Sequence, residues 1–247
     1  MTTREMKAVL LDVSGVLRDN QAAMWACYQR VLKPAGFVLD GTQEEAYRLR
    51  GLAAYNLLEN TVEALHALSK ENVPLAEALS QPEKIPSAVT RHPLLDKKEW
   101  AQKLKTDFRR TDADHLSGIP PVARARQALA RLSGRHKIGV VSNSGSAFNR
   151  AWMQHWRMDR FVSAWIGEEN VTAKKPDPEG IQLCAKTLGV SSETAYFVGD
   201  SQTDMMAAQN AGVTGIGVLS GTATKAQLES AGAAATYQNL YEASHWI

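Results

Sequence analysis

Four stretches place reactive side chains where an apolar run stops. "LLDVSGVLRDN" (Leu10 to Asn20) ends its apolar run in Asp12. Aspartate is depleted in strands and costly to bury without a partner, so this carboxylate demands one. "HKIGVVSN" ends in Ser142 and Asn143, and "TAYFVGD" ends in Gly199 and Asp200, with Ser201 and Asp204 in the next turn. "KKPDPEG" puts Lys174 and Lys175 ahead of Pro176 at the opening of a helical pattern. Gathered in one place, these residues supply three carboxylates, one or two lysines and a hydroxyl. Neighbouring carboxylates repel, and a divalent cation relieves that repulsion. Ligands that are all oxygen suit magnesium (Mg²⁺). A lysine beside such a site makes sense if a further anion arrives, and phosphate fits. The chemistry this set would suit is the binding of a phosphate between a metal and a lysine.

The elements that must hold these residues are legible too. Three of these stretches are apolar strand-like runs, and with "RFVSAWIG" (Arg160 to Gly167) and "VTGIGVL" (Val213 to Leu219) they alternate with helical patterns. "SAFNRAWMQHW" sets Phe148, Trp152 and Trp156 at spacing four, on one helical face and hence in the core. "DPEGIQLCAKTLG" sets Ile181, Cys184, Ala185 and Leu188 on one face and stops at Gly189, and "SQTDMMAAQNAG" stops at Gly212. Strands alternating with helices predict an α/β fold with a doubly wound parallel sheet. In such sheets ligands sit at the carboxyl ends of the strands, where Asp12, Ser142, Asn143 and Asp200 fall. Residues 20–112 differ: they carry helical patterns without strand alternation, with Pro82, Pro86 and Pro93 in a looser middle. They read as an all-helical insertion placed after the first strand. The sheet domain is then 1–19 with 113–247, and Pro120-Pro121 stiffens the return to it.

The bulk composition excludes other classes. At 247 residues, with 44% hydrophobic and 22% charged residues, the chain can build a packed core. A net charge of +2 gives no argument for nucleic acid or an anionic membrane as partner. Arg124, Arg126, Arg131 and Arg135 cluster on a predicted helix and read as a solvated face. Cys27 and Cys184 sit in helical patterns as buried thiols, which suggests no disulfide framework and a reducing compartment. The opening "MTTREMKAVLLDV" has too short an apolar run for a signal peptide, so a soluble cytoplasmic protein is expected. A monomer or a homodimer is expected, the latter through the Trp152 and Trp156 helix.

At these residues a family resemblance emerges. Asp-x-x-Gly-x-Leu from Asp12 to Leu17, Ser142 after its strand, Lys175-Pro176, and "VGDSQTDMMAAQNAG" resemble the four motifs of the haloacid dehalogenase-like (HAD) hydrolases, in the phosphoglycolate phosphatase/β-phosphoglucomutase-like branch. The insertion stands where that superfamily carries its first-position helical cap domain. The short stretch between Ser142 and Lys175 leaves no room for the alternative cap position. The resemblance implies that Asp12 is the nucleophile and forms an aspartyl-phosphate. It implies that Ser142, with Asn143, binds the phosphoryl group and that Lys175 pairs with Asp12 and the phosphoryl oxygens. Lys174 is not the motif lysine, because that residue directly precedes proline. Asp12, Asp200 and the main-chain carbonyl of Ser14 are implied as Mg²⁺ ligands, with Asp204 supporting the metal. "RLRGLAAYN" resembles the cap's specificity loop, with Arg50 contacting a substrate anion and Gly51 giving the loop freedom.

One position departs from the pattern. Phosphatases of the superfamily usually carry a second aspartate two residues after the nucleophile, as general acid and base, and here that position is Ser14. Losing such a group typically costs ~10²–10⁴-fold in rate. Three readings follow: a Mg²⁺-dependent phosphatase of a small phosphorylated metabolite, a weak or inactive member that binds a phosphorylated ligand, or a phosphonatase-like or other non-phosphomonoester hydrolase. "LRGLAAYNLL" has no lysine for a Schiff base, which argues against the last. On this reading Ser14→Asp raises turnover on ordinary monoesters.

Overall fold

The computed structural model describes residues 7–20, 27, 30, 102–103, 106–221 and 223–247. By its contacts the chain divides into two compact units, Met1–Asp19 with Thr111–Ile247, and Asn20–Arg110. Arg50 and Gly51 lie outside the described residues.

In the first unit the described residues form six parallel strands: β1 (Ala8–Leu11), β2 (Lys137–Val141), β3 (Ala164–Ile166), β4 (Ala195–Gly199), β5 (Thr214–Val218) and β6 (Ala235–Tyr237). Their spatial order is β3-β2-β1-β4-β5-β6. Between them run α1 (Ala113–Ser117), α2 (Ala125–Ser133), α3 (Ser146–His155), α4 (Glu179–Leu188), α5 (Gln202–Ala211), α6 (Lys225–Ser230) and α7 (Leu240–Ala243). The chain moves from β1 out to β3, crosses back to β4 and continues to β6. Right-handed crossovers then send α2 and α3 to one face and α4, α5 and α6 to the other. The sheet is doubly wound, as the alternation of patterns predicts.

The strands form because their runs are apolar throughout, which suits a sheet covered on both faces. Ala8 through Leu11 are all buried. Leu10 and Phe197 face a core shared with Ile181, Cys184, Ala185 and Leu188 of α4 and Ala207, Ala208 and Ala211 of α5. The helices stop where expected: Gly189 and Gly212 take left-handed φ of 67° and 69° at the ends of α4 and α5. Trp152 is fully buried and donates its Nε1–H to the Ile119 carbonyl at 2.8 Å, which places the aromatic face of α3 inside the unit. Among the described residues no helix is long and apolar enough to cross a membrane.

The register positions the site. Leu11 pairs with Val140 of β2 on one side and Val198 of β4 on the other. The carboxyl ends of these three strands are therefore level, and Asp12, Ser142 and Asp200 leave the sheet side by side. In the second unit, Arg30 makes a two-pronged ion pair with Asp107 at 2.6 and 3.1 Å, beside the buried Cys27 and Phe108. Cys27 and Cys184 form no disulfide, and burial pushes both thiols up, Cys184 to about 12.

Candidate active site

At the centre is Lys175. Its ammonium donates to Asp12 Oδ1 at 2.7 Å, to Asp204 Oδ1 at 2.6 Å and to the Val141 carbonyl at 3.3 Å. All three charged side chains are at least nine-tenths buried. Burial alone would push Lys175 down, but the Asp12 and Asp204 carboxylates outweigh it and hold the ammonium protonated well above the usual lysine value. Asp12 moves the other way from an ordinary surface carboxylate. Burial and the Asp204 charge raise it, against the pull of Lys175. Lys174, by contrast, makes an exposed ion pair with Glu168 at 2.6 Å.

Asn143 fixes the loop that carries this lysine. Its Nδ2 donates to the Lys175 carbonyl at 3.1 Å, and its Oδ1 accepts from the Lys175 N–H at 3.0 Å. Both ends of the amide are thus used on the main chain of the residue it positions. Ser142 is buried beside it, and its Oγ accepts the Ser144 N–H at 3.2 Å, leaving the hydroxyl proton available to a ligand.

The third carboxylate, Asp200, is cradled between two glycines. A side chain at Gly15, whose φ is +71°, or at Gly221 would collide with the Asp200 carboxylate. The chain after β5 closes over it, with Ala223 N–H donating to the Asp200 carbonyl at 3.1 Å and Ser220 Oγ donating to the Gly15 carbonyl at 2.6 Å. Asp204 sits at the third position of α5 in a reciprocal cap. Its N–H donates to Ser201 Oγ at 3.2 Å, while its Oδ2 accepts from the Ser201 hydroxyl at 2.6 Å and N–H at 3.1 Å. The "SQTD" spacing carries that capping signal in the sequence.

One oxygen from each of Asp12, Asp200 and Asp204 lies within 4.8 Å of the others, a grouping that could hold a metal ion. The donors are hard carboxylate oxygens, and Asp204 is already committed to Lys175 and Ser201. Such a set fits Mg²⁺, which takes few protein carboxylates and keeps several waters.

The structure adds residues that sequence reasoning passed over. Arg18 is fully buried, donating from Nη1 to Asn149 Oδ1 at 3.2 Å and from Nη2 to Ser14 Oγ at 3.1 Å. A cation inside the apolar "GVLRDN" turn is the one sequence signal that could have flagged it. The arginine cluster beyond is a surface feature: Arg124 stacks on Tyr241 at 4.2 Å, Arg135 donates to the Ser244 carbonyl at 3.2 Å, and Arg126 and Arg131 are exposed.

The family model described as haloacid dehalogenase-like hydrolase matches residues 9–218. The chain belongs to the haloacid dehalogenase-like hydrolases. Among curated relatives, a phosphoglycolate phosphatase from Salmonella typhi is 26% identical over 221 residues, covering 88% of this chain and 83% of the relative. Among solved structures, a haloacid dehalogenase-like hydrolase from Streptococcus pneumoniae superposes with a TM-score of 0.71 at 14% identity, covering 98% of each chain. A HAD family hydrolase from Deinococcus radiodurans, solved with bound phosphate and sodium, gives a TM-score of 0.66 at 22% identity over 98% of this chain and 94% of that one. The described residues thereby share the fold of solved haloacid dehalogenase-like hydrolases.

Proposed function

We propose that this protein is a Mg²⁺-dependent phosphatase of a small phosphorylated metabolite, working through an aspartyl-phosphate on Asp12. The observation that carries the reading is Lys175, buried between Asp12 and Asp204, with Asp200 beside them. A lysine so placed neutralises the nucleophile at rest and is ready to bind phosphoryl oxygens when they arrive. The phosphatase name of the Salmonella typhi relative and the phosphate bound to the Deinococcus radiodurans hydrolase support it.

In this reading Asp12 attacks phosphorus, and the bond to the leaving oxygen breaks with its electron pair going to that oxygen. The Ser142 hydroxyl and the Lys175 ammonium bind the phosphoryl oxygens, and Asn143 keeps Lys175 in place. Water then attacks the same phosphorus, which frees phosphate and restores the Asp12 carboxylate. Asp12 and Asp200, with the Ser14 carbonyl and support from Asp204, would hold magnesium, whose charge neutralises that building on oxygen. Residues 20–112 would form the helical cap that supplies specificity, with Arg50 and Gly51 in its loop. Two buried thiols without a disulfide and a near-neutral net charge favour a cytoplasmic protein, monomeric or homodimeric, with neither nucleic acid nor membrane as partner.

Ser14 at the acid–base position favours a second reading, a weak or inactive member that binds a phosphorylated ligand. Phosphate release from a panel of phosphate esters, acyl phosphates and phosphoramidates, with and without magnesium, separates the two. Turnover that needs magnesium and is abolished by Asp12→Asn is expected. Ligand binding without any turnover would overturn the enzymatic reading.

A further inference from the structure

Ser14 is the solvent-accessible member of an otherwise buried turn. Asp12, Val13, Gly15, Val16 and Leu17 around it are all buried. On one side stands Asp12 with its lysine, and on the other Gly15, packed against the Asp200 carboxylate. Ser14, half-buried between the nucleophile and that carboxylate, is thus the residue of the turn that a molecule entering the cluster can touch.

Behind the hydroxyl lies a guanidinium that is itself fixed. Arg18 stacks over the Phe148 ring at 4.7 Å and lies 5.6 Å from that of Trp152. Asn149, fully buried on α3, presents Oδ1 to Arg18 Nη1. Its Nδ2 has no hydrogen-bond partner among the described residues, and reversing the amide would set an N–H against the arginine N–H. The amide orientation is thus dictated by the arginine. Arg18 Nη2 points at Ser14 Oγ. A hydroxyl has one proton, and an oxygen that accepts from Arg18 must send that proton elsewhere.

We propose that Arg18 is a positioning residue for Ser14: it fixes the hydroxyl as an acceptor on its buried side, so that the hydroxyl proton is donated to the oxygen leaving the phosphoryl group at Asp12. This rests on the phosphatase reading above. The hydroxyl keeps its proton throughout; the departing oxygen leaves as an anion, is held by this hydrogen bond, and later takes its proton from water. The site then suits substrates whose leaving group is stable as an anion, such as aryl, enol or acyl phosphates, over simple alkyl esters.

The test is a double-mutant cycle read with substituted phenyl phosphates. A hydrogen bond to a charged group is worth about 10-fold or more, so Arg18→Met lowers kcat by about 10-fold with KM little changed and steepens the dependence of kcat on leaving-group acidity. Ser14→Ala does the same, and Arg18→Met in the Ser14→Ala background adds nothing further. Additive losses, an effect on KM alone, or an unchanged leaving-group dependence would overturn the proposal. If Arg18→Met does not fold, Asn149→Ala, which loosens the guanidinium, must show the same dependence on Ser14. Vanadate with magnesium, measured by calorimetry, reads the same cycle without turnover, because its apical oxygen occupies the leaving position. Arg18→Met weakens vanadate about 10-fold only when Ser14 is present. Coupling to vanadate without turnover would sink the phosphatase reading and leave Arg18's role standing; Asp12-dependent turnover with additive losses would do the reverse.

Discussion

At position 14 the neighbouring arginine changes what a substitution can do. A carboxylate introduced there would meet Arg18 Nη2, which already reaches Ser14 Oγ at 3.1 Å. Guanidinium binds carboxylate in two-pronged fashion, so the new side chain would be drawn into the turn and away from the leaving oxygen. Ser14→Asp alone is therefore expected to give no gain on alkyl phosphate monoesters, contrary to what the motif by itself suggests. Ser14→Asp with Arg18→Val frees the carboxylate and should recover part of the acid–base contribution, at the ~10²-fold low end. Steady-state kcat/KM on one alkyl ester compares the variants, and an equal gain from Ser14→Asp alone would sink the argument. Asp12, Ser142, Lys175 and Asp200 were legible in the sequence because each follows an apolar run or precedes a proline. Arg18 and Asn149 were not: they lie far apart in the chain, and only the packing of α3 against the first turn makes them partners.

Among the elements, five strands and three of the longer helices follow from periodicity and glycine stops alone. β6 escaped because Ala235–Tyr237 is short, half-buried and without an apolar run, being an edge strand. β3 begins later than its run because Asp159–Phe161 first makes a 3₁₀ turn. α3 shows how one element is closed by another. Gly145 offers no side chain to cap it, and the Glu169 carboxylate, arriving after β3, accepts from the Ser146 N–H at 3.0 Å and from its hydroxyl. Burial works to raise Glu169, but the Ser146 hydrogen bonds prevail and lower it. A carboxylate lowered on folding contributes stability above its unfolded value of 4.5 and loses it as the pH falls through its folded value. Glu169→Ala should accordingly lower Tm at pH 7, and the gap from wild type should close in acid. Thermal unfolding from neutral pH into strong acid checks it; a gap that persists in strong acid would mean the carboxylate charge is not what caps α3.

On the scale of the whole molecule, three buried carboxylates are clustered with one lysine, an excess of negative charge that the proposed cation would offset. Asp12 is raised, so its ionised form is disfavoured in the folded state; the penalty operates above the folded value and vanishes below 3.8. Asp12→Asn should therefore raise Tm in metal-free buffer at pH 7 and give no gain in strong acid. Magnesium should stabilise the wild type, by ~2.7 kcal/mol at a hundredfold excess over Kd, and leave Asp12→Asn nearly unmoved. Calorimetry with and without the ion tests both, and an Asp12→Asn protein less stable than the wild type without metal would refute the account. The departure of the chain from the sheet unit has its own consequence. Asp19, its last residue before the second unit, donates its N–H to the Pro120 carbonyl at 2.9 Å, beside a bridge between Arg18 and Pro121. The outgoing and returning threads are stitched together within the reactive unit itself. Like the two poles of a socket, they would let evolution or an engineer exchange the segment plugged between them and, under the specificity role proposed for it, retarget the enzyme without rewiring the reaction.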